Sequence, residues 1–372
     1  TVAAALALGM AQSEILLLQD RLSWLPRSGI RDALPLVVIV VALALGAGSR
    51  LTLAPGAARL PRARLPRPGR ILPAALLGTV AGAVALVALH GQDRLALVTS
   101  MIGALVCLSI VVLTGWSGQI SLAQMAFAGV GGFGVSRLAT GLSVPFPVAP
   151  VLAAALAAVV GVVVGLPALR ARGVSLAIVT LAGAVVVEEV VFKNPVVAGG
   201  FEGSRVPAPS VLGLHLEPAG IGFGLVVLAV LVAAAVGLAR LRSAGAGRRM
   251  LAVRSDERAA AALGVDVAAT RLRAFALSAF IAGLAGALLG YQQGQLSSGS
   301  FGVFVSLAYL AVSYVGGVAG VAGALVGGLL VPSGLLFTLL DLGRYQLLAS
   351  GIGLMVVTVV APGGITGSGR RT

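Results

Sequence analysis

Long apolar segments follow one another along almost the whole chain, and this feature limits the possible folds more than any other. A helix needs about 20 predominantly apolar residues to cross the hydrocarbon core of a bilayer. Of the 372 residues, 58% are hydrophobic and only 10% are charged, whereas soluble domains average about 45–50% apolar and about 25% charged residues. The sequence therefore predicts an all-α, polytopic integral membrane protein. It excludes a soluble globular enzyme, a disordered tail and a disulfide-linked secreted domain.

That length makes it possible to count the apolar segments that could each form a membrane-spanning helix. They predict about ten core membrane helices after residue 70 and about two N-terminal ones before it. The predicted spans are 2–18, 33–48, 71–90, 95–113, 119–140, 147–167, 174–192, 219–239, 274–293, 303–319, 321–340 and 346–361.

Basic residues are concentrated in a few segments between these spans, chiefly 50–70, 169–173, 240–273 and 370–371. The formal charge of +14 would also suit nucleic-acid binding, but the basic residues of membrane proteins collect in cytoplasmic loops. If residues 50–70 are cytoplasmic, alternation of the spans places the other three segments on the same side, whereas the basic 19–32 loop falls opposite. The pattern favours a multi-pass protein with a cytoplasmic C-terminus, in contact with lipid and not with nucleic acid.

Residues 50–70 combine arginines with prolines, which cannot be helical throughout because proline lacks the N–H donor and restricts the preceding residue. The chain is therefore expected to divide at this linker. Residues 1–49 would form about two helices, and 50–70 an Arg/Pro-rich cytoplasmic linker. Residues 71–362 would form the transmembrane domain, including the cytoplasmic loop 241–273, and 363–372 a cytoplasmic tail.

Residues 114–124 interrupt the apolar pattern with Ser117, Gln119, Ser121 and Gln124. A broken helix at membrane depth is tolerated only where it faces protein or a water-filled cavity. A helix that restarts near Ser117 would present free N–H groups, which suit a substrate carboxylate. A short polar loop between two ordinary spans is an equally good interpretation. These four polar residues are the candidates for a substrate pathway.

Glu188 and Glu189 lie near the end of the predicted span 174–192. A carboxylate within the membrane is costly and often functional, so Glu188 is a fifth candidate for the pathway. The interpretation that we favour is an interfacial pair close to Lys193.

The loop 241–273 contains a short helix signal. Ser255 can cap its N-terminus, Asp256 and Glu257 suit its first turn, and Gly264 can end it. The four alanines between them favour helix. Such an exposed helix with small side chains fits a groove on a partner, and a solvated loop helix is the alternative. Farther along, glycines between 283 and 328 at small-xxx-small spacings predict close packing of helices.

The sequence contains no set of residues for catalysis, a cofactor or a metal. Cys107 is the single cysteine, His90 and His215 are the two histidines, and no catalytic triad or metal cluster can be assembled from them. The G-x-x-x-x-G-K-[ST] motif of ATP-binding loops is absent, since the only lysine, Lys193, is followed by asparagine. If ATP drives this protein, a partner must bind it.

In combination, these segments resemble the membrane subunit of bacterial branched-chain amino-acid ABC importers over residues 95–330. The signature Gly115-x-x-Gly-Gln-x-Ser-Leu122 is similar to the family's early block, and Leu176-Ala-Ile-Val-Thr-Leu-Ala182 with Gly199-Gly-x-x-Gly203 to its next one. The run from Gly247 to Gly264, followed by Arg273-Ala-Phe through Gly286, resembles the coupling loop and the helix after it. Val315-Gly-Gly-Val-x-Gly320 resembles a later glycine-rich turn.

The resemblance implies a transport subunit of the bacterial cytoplasmic membrane without its own catalytic site. It would work with a companion permease subunit or fused half, two cytoplasmic ATPase subunits that bind ATP-Mg, and an extracytoplasmic solute-binding protein. It would be the second membrane subunit of its pair, with residues 1–49 as the C-terminal remnant of a fused companion. Residues 254–264 would be the coupling helix, which carries Arg254, Asp256, Glu257 and Gly264 onto the ATPase.

Departures from the family pattern leave the substrate open. The family's acidic and basic residues are expected near Val185 and Glu188, and a carboxylate where Ala308 stands. Leucine, isoleucine and valine are the first expectation, and urea or a short amide is the alternative within the family. An ion-coupled secondary transporter is a weaker hypothesis, because that class usually carries ionisable residues within its spans.

Overall fold

The computed structural model describes residues 71–171, 173–194, 203–211, 214–340 and 364–368. The predicted helices of 1–49, the linker 50–70 and the span 346–361 lie outside the described residues, as does part of the tail 363–372.

The described residues form a helical bundle with a few two-residue strands. The helices are α1 (Ile71–Ala88), α2 (Gly91–Ile110, continued as a π-helix over Val111–Trp116), α3 (Gln124–Gly141), α4 (Val148–Ala168), α5 (Val174–Val187, continued as a π-helix over Glu188–Phe192), α6 (Ile221–Ser243), α7 (Gly245–Ser255), α8 (Glu257–Ala262), α9 (Val267–Gln293), α10 (Val303–Gly316), α11 (Val321–Leu329), α12 (Leu335–Leu339) and α13 (Ile365–Ser368). The strands are β1 (Ser204–Arg205), β2 (Ser210–Val211), β3 (Leu214–His215) and β4 (Gln295–Leu296), paired antiparallel as β1 with β4 and β2 with β3.

Within the described residues, six helical stretches are long and apolar enough to cross a membrane, which confirms the predicted polytopic all-α architecture. Two helices begin at residues other than the predicted ones, each for a local reason. α3 starts only at Gln124 because residues 117–123 are not helical. α9 starts early, because the Asp266 carboxylate accepts the Ala269 N–H at 2.9 Å and caps it. The six stretches are Gly91–Trp116, Val148–Ala168, Ser175–Phe192, Ile221–Ser243, Val267–Gln293 and Ser298–Gly316.

α2 is the central helix of the described bundle. It is buried almost without interruption from Ala96 to Trp116, and α6, α9, α10 and α11 pack around it. A helix that is apolar on all sides, as this one is, belongs in such a position.

α9 packs against α3 and α4 through small residues. A Cβ at Gly286 would overlap the main chain of Ala128 in α3, and one at Gly161 in α4 would overlap Ala279. The missing side chains let the backbones approach, which strengthens van der Waals packing where lipid supplies no hydrophobic drive. The predicted packing role of the glycines is confirmed here.

α4 and α9 run antiparallel, with Gly165 beside Phe275 and Gly283 beside Ala157. The basic turn 169–173 therefore lies at the same end of the bundle as the loop 241–273. The C-terminus of α2 also lies there, because Arg254 contacts Gly115. We call this the arginine end. The grouping agrees with the predicted alternation, and which side of the membrane it faces stays a prediction.

The prediction of one continuous span over 321–340 is wrong. α11 ends at Leu329, and residues 330–334, which we call the apolar turn, separate it from α12. Pro332 in this turn lacks the N–H that helix bonding needs, and Ser333 takes a φ of +58°. The Gly334 N–H closes the turn by donating to the Val331 carbonyl at 2.9 Å.

The apolar turn lies at membrane depth. Val331 packs against Gly103, and Gly328, just before the turn, packs against Ala104, both about halfway along α2. The Leu335 N–H, freed by the break, donates to the Ser100 hydroxyl at 2.8 Å. A break at this depth is tolerated because neighbouring helices cover it and satisfy its backbone groups.

Short strands and an arginine close the opposite end. β1 pairs with β4, with Ser204 opposite Leu296. The Arg94 guanidinium donates to the carbonyls of Leu86 and Leu89, both at 3.0 Å, at the C-terminus of α1. This cation suits the partial negative charge of a helix C-terminus.

Candidate functional site

The first candidate region is the end of α2 and the segment that follows it, residues 117–123, which we call the polar turn. The last turn of α2 widens to π geometry, in which the Ser117 N–H donates to the Val112 carbonyl at 3.3 Å. Gly118 then takes a φ of +71°, a left-handed conformation that glycine adopts without strain. The widened turn and Gly118 end a full-length helix at the arginine end.

The polar side chains at this point bind one another. Gln119 donates from Nε2 to the Ser117 hydroxyl at 2.9 Å, and the Thr114 hydroxyl donates to the Gln119 carbonyl at 3.2 Å. The Ser121 hydroxyl accepts the Ala123 N–H at 3.2 Å. Ser117, Gln119 and Ser121 are at most 4% exposed, so they form a closed, internally satisfied turn.

A neighbouring helix completes the polar turn. The Leu122 N–H donates to the Thr180 hydroxyl of α5 at 3.1 Å. Of the two interpretations of residues 114–124, the structure supports the short polar loop between ordinary spans. The proposed helix restart near Ser117 is wrong, because α3 begins at Gln124 and α2 runs unbroken to Trp116.

Gln124 joins three helices in the interior. The side-chain oxygen Oε1 of Gln124 lies 2.9 Å from the Ser109 hydroxyl of α2 and 3.2 Å from the Ser278 hydroxyl of α9. The Ser278 hydroxyl also donates to the Ser109 carbonyl at 2.8 Å. The sequence analysis missed Ser109 and Ser278. The signal for each is a lone hydroxyl within an apolar span, where a polar group needs a partner.

Glu188 lies apart from the other four pathway candidates. Its carboxylate lies at the N-terminus of α10, where a Cβ added at Gly302 would stand 3.8 Å from the Glu188 Oε1, and a negative charge suits this end of a helix. The opposite terminus of α10 lies at the arginine end, because Val318, in the turn after it, packs against Gly115. The neighbouring Glu189 pairs with Lys193, as the favoured interpretation expected. The structure thus brings together Ser117, Gln119, Ser121 and Gln124, but not Glu188.

The second candidate region is the loop 241–273, where the expected single helix over 254–264 is two helices. α7 ends at Ser255, and Asp256 caps α8 by accepting the N–H groups of Arg258 and Ala259 at 2.9 and 3.0 Å. Ser255 is not the cap, since its hydroxyl turns back to the Ala252 carbonyl at 2.8 Å. An ionised carboxylate is the stronger acceptor for these two N–H groups.

The remaining coupling candidates divide between the two helices. Gly264, with a φ of +81°, follows the end of α8, and Glu257 pairs with Arg271 of α9 at 3.0 Å. Leu263 at the end of α8 is 84% exposed. Arg254 belongs to α7 and points into the bundle, where its guanidinium donates to the Gly115 carbonyl. Burial lowers the pKa of Arg254, an effect that Tyr314 opposes.

Comparison with known proteins identifies the family of the chain. Residues 95–360 match the family described as branched-chain amino acid transport system / permease component. The chain belongs to this permease family. The matched range includes the polar turn, Glu188 and the loop 241–273.

Two curated relatives support the assignment. Both are named high-affinity branched-chain amino acid transport system permease protein LivM, one from Salmonella typhimurium and one from Escherichia coli. Each is 31% identical over 285 residues, which is 70% of this chain and 66% of the relative. The match thus spans slightly less than two thirds of the relatives' length. No solved structure matches the chain.

Proposed function

We propose that this permease is the membrane-spanning subunit of an ATP-binding-cassette importer for leucine, isoleucine and valine. The family match over residues 95–360 carries the proposal, and the names of the two relatives point to the same substrates. The chain supplies the pathway, and partner subunits bind and hydrolyse ATP-Mg. Catalytic residues and a cofactor of its own are not part of this function.

The proposed assembly contains a companion permease subunit or fused half, two cytoplasmic ATPase subunits and an extracytoplasmic solute-binding protein. In this assembly the arginine end faces the cytoplasm, as does the C-terminus. Support comes from the grouping of 169–173 and 241–273 at that end, because arginines mark cytoplasmic loops. α8, with its exposed Leu263, then faces the ATPases as the coupling helix.

Ser117, Gln119, Ser121 and Gln124 would contribute to the pathway at its cytoplasmic end, and Glu188 at the other end. All four of the first group are buried. Transport therefore requires that the polar turn move away from its present position, so that its hydroxyl and amide groups exchange their mutual hydrogen bonds for substrate and water.

Uptake by proteoliposomes tests this function. The permease is purified with its ATPase and companion subunits, reconstituted, and supplied with the binding protein and radiolabelled leucine. We expect uptake only when ATP is present on the ATPase side, and none with ATPases that lack their P-loop lysine. Uptake of urea but not leucine would show that urea, and not leucine, is the substrate. Leucine uptake driven by a proton gradient without ATP would contradict the proposed class.

Cysteine labelling tests the orientation. Cys107 is the single native cysteine and it is buried, so a cysteine introduced at the exposed position Arg258 reports on one site. We expect R258C in sealed, right-side-out membrane vesicles to react with a permeant maleimide and not with an impermeant one. Reaction with the impermeant reagent would place α8 outside.

A further inference from the structure

Arg254 differs from other arginines of its helix in where its side chain lies. Arg248 and Arg249 are exposed on α7, whereas Arg254 is half-buried. Its guanidinium donates to the main-chain carbonyl of Gly115 in the π-helical end of α2. The contact joins the loop 241–273 to the last turn before the polar turn.

The end of α2 is shaped to receive this arginine. The aliphatic part of Arg254 passes over Gly118, where an added Cβ would stand only 3.1 Å from the Arg254 Cγ. A Cβ at Gly115 would overlap the Val318 carbonyl oxygen in the turn between α10 and α11. Two glycines therefore allow the end of α2 and the start of the polar turn to be held between Arg254 and the α10–α11 turn.

α7 and α8 meet at Asp256, close to Arg254. The Asp256 N–H donates to the Ala252 carbonyl of α7 at 3.1 Å, and its carboxylate caps α8. Only Ser255 separates Arg254 from this junction. A force on the exposed end of α8, near Leu263, therefore reaches Arg254 through a short, hydrogen-bonded connection.

We propose that Arg254 is the positioning residue that transmits movement of α8 to the polar turn, through its grip on the Gly115 carbonyl. This inference rests on the proposed function, in which ATPases move α8. A helix C-terminus carries partial negative charge, so a guanidinium binds there favourably. Its several N–H donors let the contact persist while the two segments shift.

The position of the polar turn can be followed with a cysteine at Ile120, which is 39% exposed. The rate of maleimide labelling of I120C is measured in the complete complex, without nucleotide and with Mg-ATP and vanadate. We expect a several-fold change in rate in the otherwise native chain. We expect R254M to lose this change while the ATPases still bind and hydrolyse ATP.

R249M is the matched control, because it removes an exposed arginine from the same helix and should keep the nucleotide-dependent change. If R254M does not reach the membrane, R254Q carries the same comparison. A full change in rate in the Arg254 variant, or none in I120C alone, would overturn the inference. Leucine uptake by the native complex is measured beside it, so that failure of the proposed function is recognised separately.

Discussion

Two turns of opposite character separate consecutive helices in the described part of the chain, and their comparison explains much of the molecule. The polar turn, 117–123, is rich in serine, glutamine and glycine and lies at the arginine end. The apolar turn, 330–334, reads Leu-Val-Pro-Ser-Gly and lies at membrane depth. The polar turn binds its own side chains, whereas the apolar turn depends on α2. An interruption inside a bilayer must be satisfied by protein, because no water is available there.

Both turns nevertheless share one device. A hydroxyl from another helix accepts a backbone N–H that no helix bond can use. Ser100 serves Leu335 at the apolar turn, at 2.8 Å, and Thr180 serves Leu122 at the polar turn, at 3.1 Å. The same kind of hydrogen bond should therefore contribute a different amount to the free energy of unfolding at the two depths.

The largest effect should come from the packing beside the apolar turn. In G328L the new side chain would enter the main chain of Ala104 in α2, and overpacking of this kind costs about 1–3 kcal/mol or more. We expect a sharp loss of folded protein, measured as monodisperse yield and melting temperature in detergent. G78L, on an exposed face of α1 with open space around it, is the control. Equal behaviour of the two variants would mean that α11 does not rest on α2.

Removal of the two hydroxyls compares the depths directly. S100A leaves the Leu335 N–H without an acceptor at membrane depth, where no water is available to replace it, and this costs about 1–3 kcal/mol. T180V removes the acceptor of Leu122, which is half-buried like Leu335 but lies at the arginine end, where water can replace the hydroxyl at lower cost. We expect a larger fall in melting temperature for S100A than for T180V, and almost none for T180S. The reverse order would show that the polar turn is the drier of the two.

Alanine at two left-handed glycines separates backbone strain from side-chain contact. Gly118 and Gly264 have φ values of +71° and +81°, and a left-handed conformation costs a residue with a Cβ about 1–2 kcal/mol. Only G118A also presses on Arg254, since Gly264 has open space. We therefore expect the melting temperature to fall further for G118A than for G264A. Equal falls would leave no energetic role for the Arg254 contact with Gly118.

The smallest effect should come from substitution of Gln124, the buried residue that follows the polar turn. In Q124L the hydroxyls of Ser109 and Ser278 keep carbonyl acceptors at 2.6 and 2.8 Å, so neither donor is left unsatisfied. We expect a loss of stability below about 1.5 kcal/mol in thermal unfolding. Q124E, which places a carboxylate in the same buried position, should cost more. A loss in Q124L as large as that in Q124E would show that the amide itself holds the three helices together.

Features that depend on neighbours along the chain could be predicted from the sequence. The length of the apolar segments predicted the helices α1 to α6, α9 and α10, and the glycine at 264 predicted the end of α8. The choice of Ser255 as the cap was wrong by one residue, because serine and aspartate are both good caps and stand side by side. Pro332 also indicates a break in the helix, but it stands in a mainly apolar segment of spanning length, which favours a single continuous span.

The sequence by itself determined a membrane bundle, its basic segments and its polar turn, because hydropathy, charge and turn chemistry are local properties. Only the tertiary structure decided that Glu188 lies at the start of α10, away from the polar turn, that Ser109 and Ser278 meet Gln124, and that Arg254 reaches Gly115. These partners lie on different helices, and which helices become neighbours depends on packing between small residues far apart in the chain.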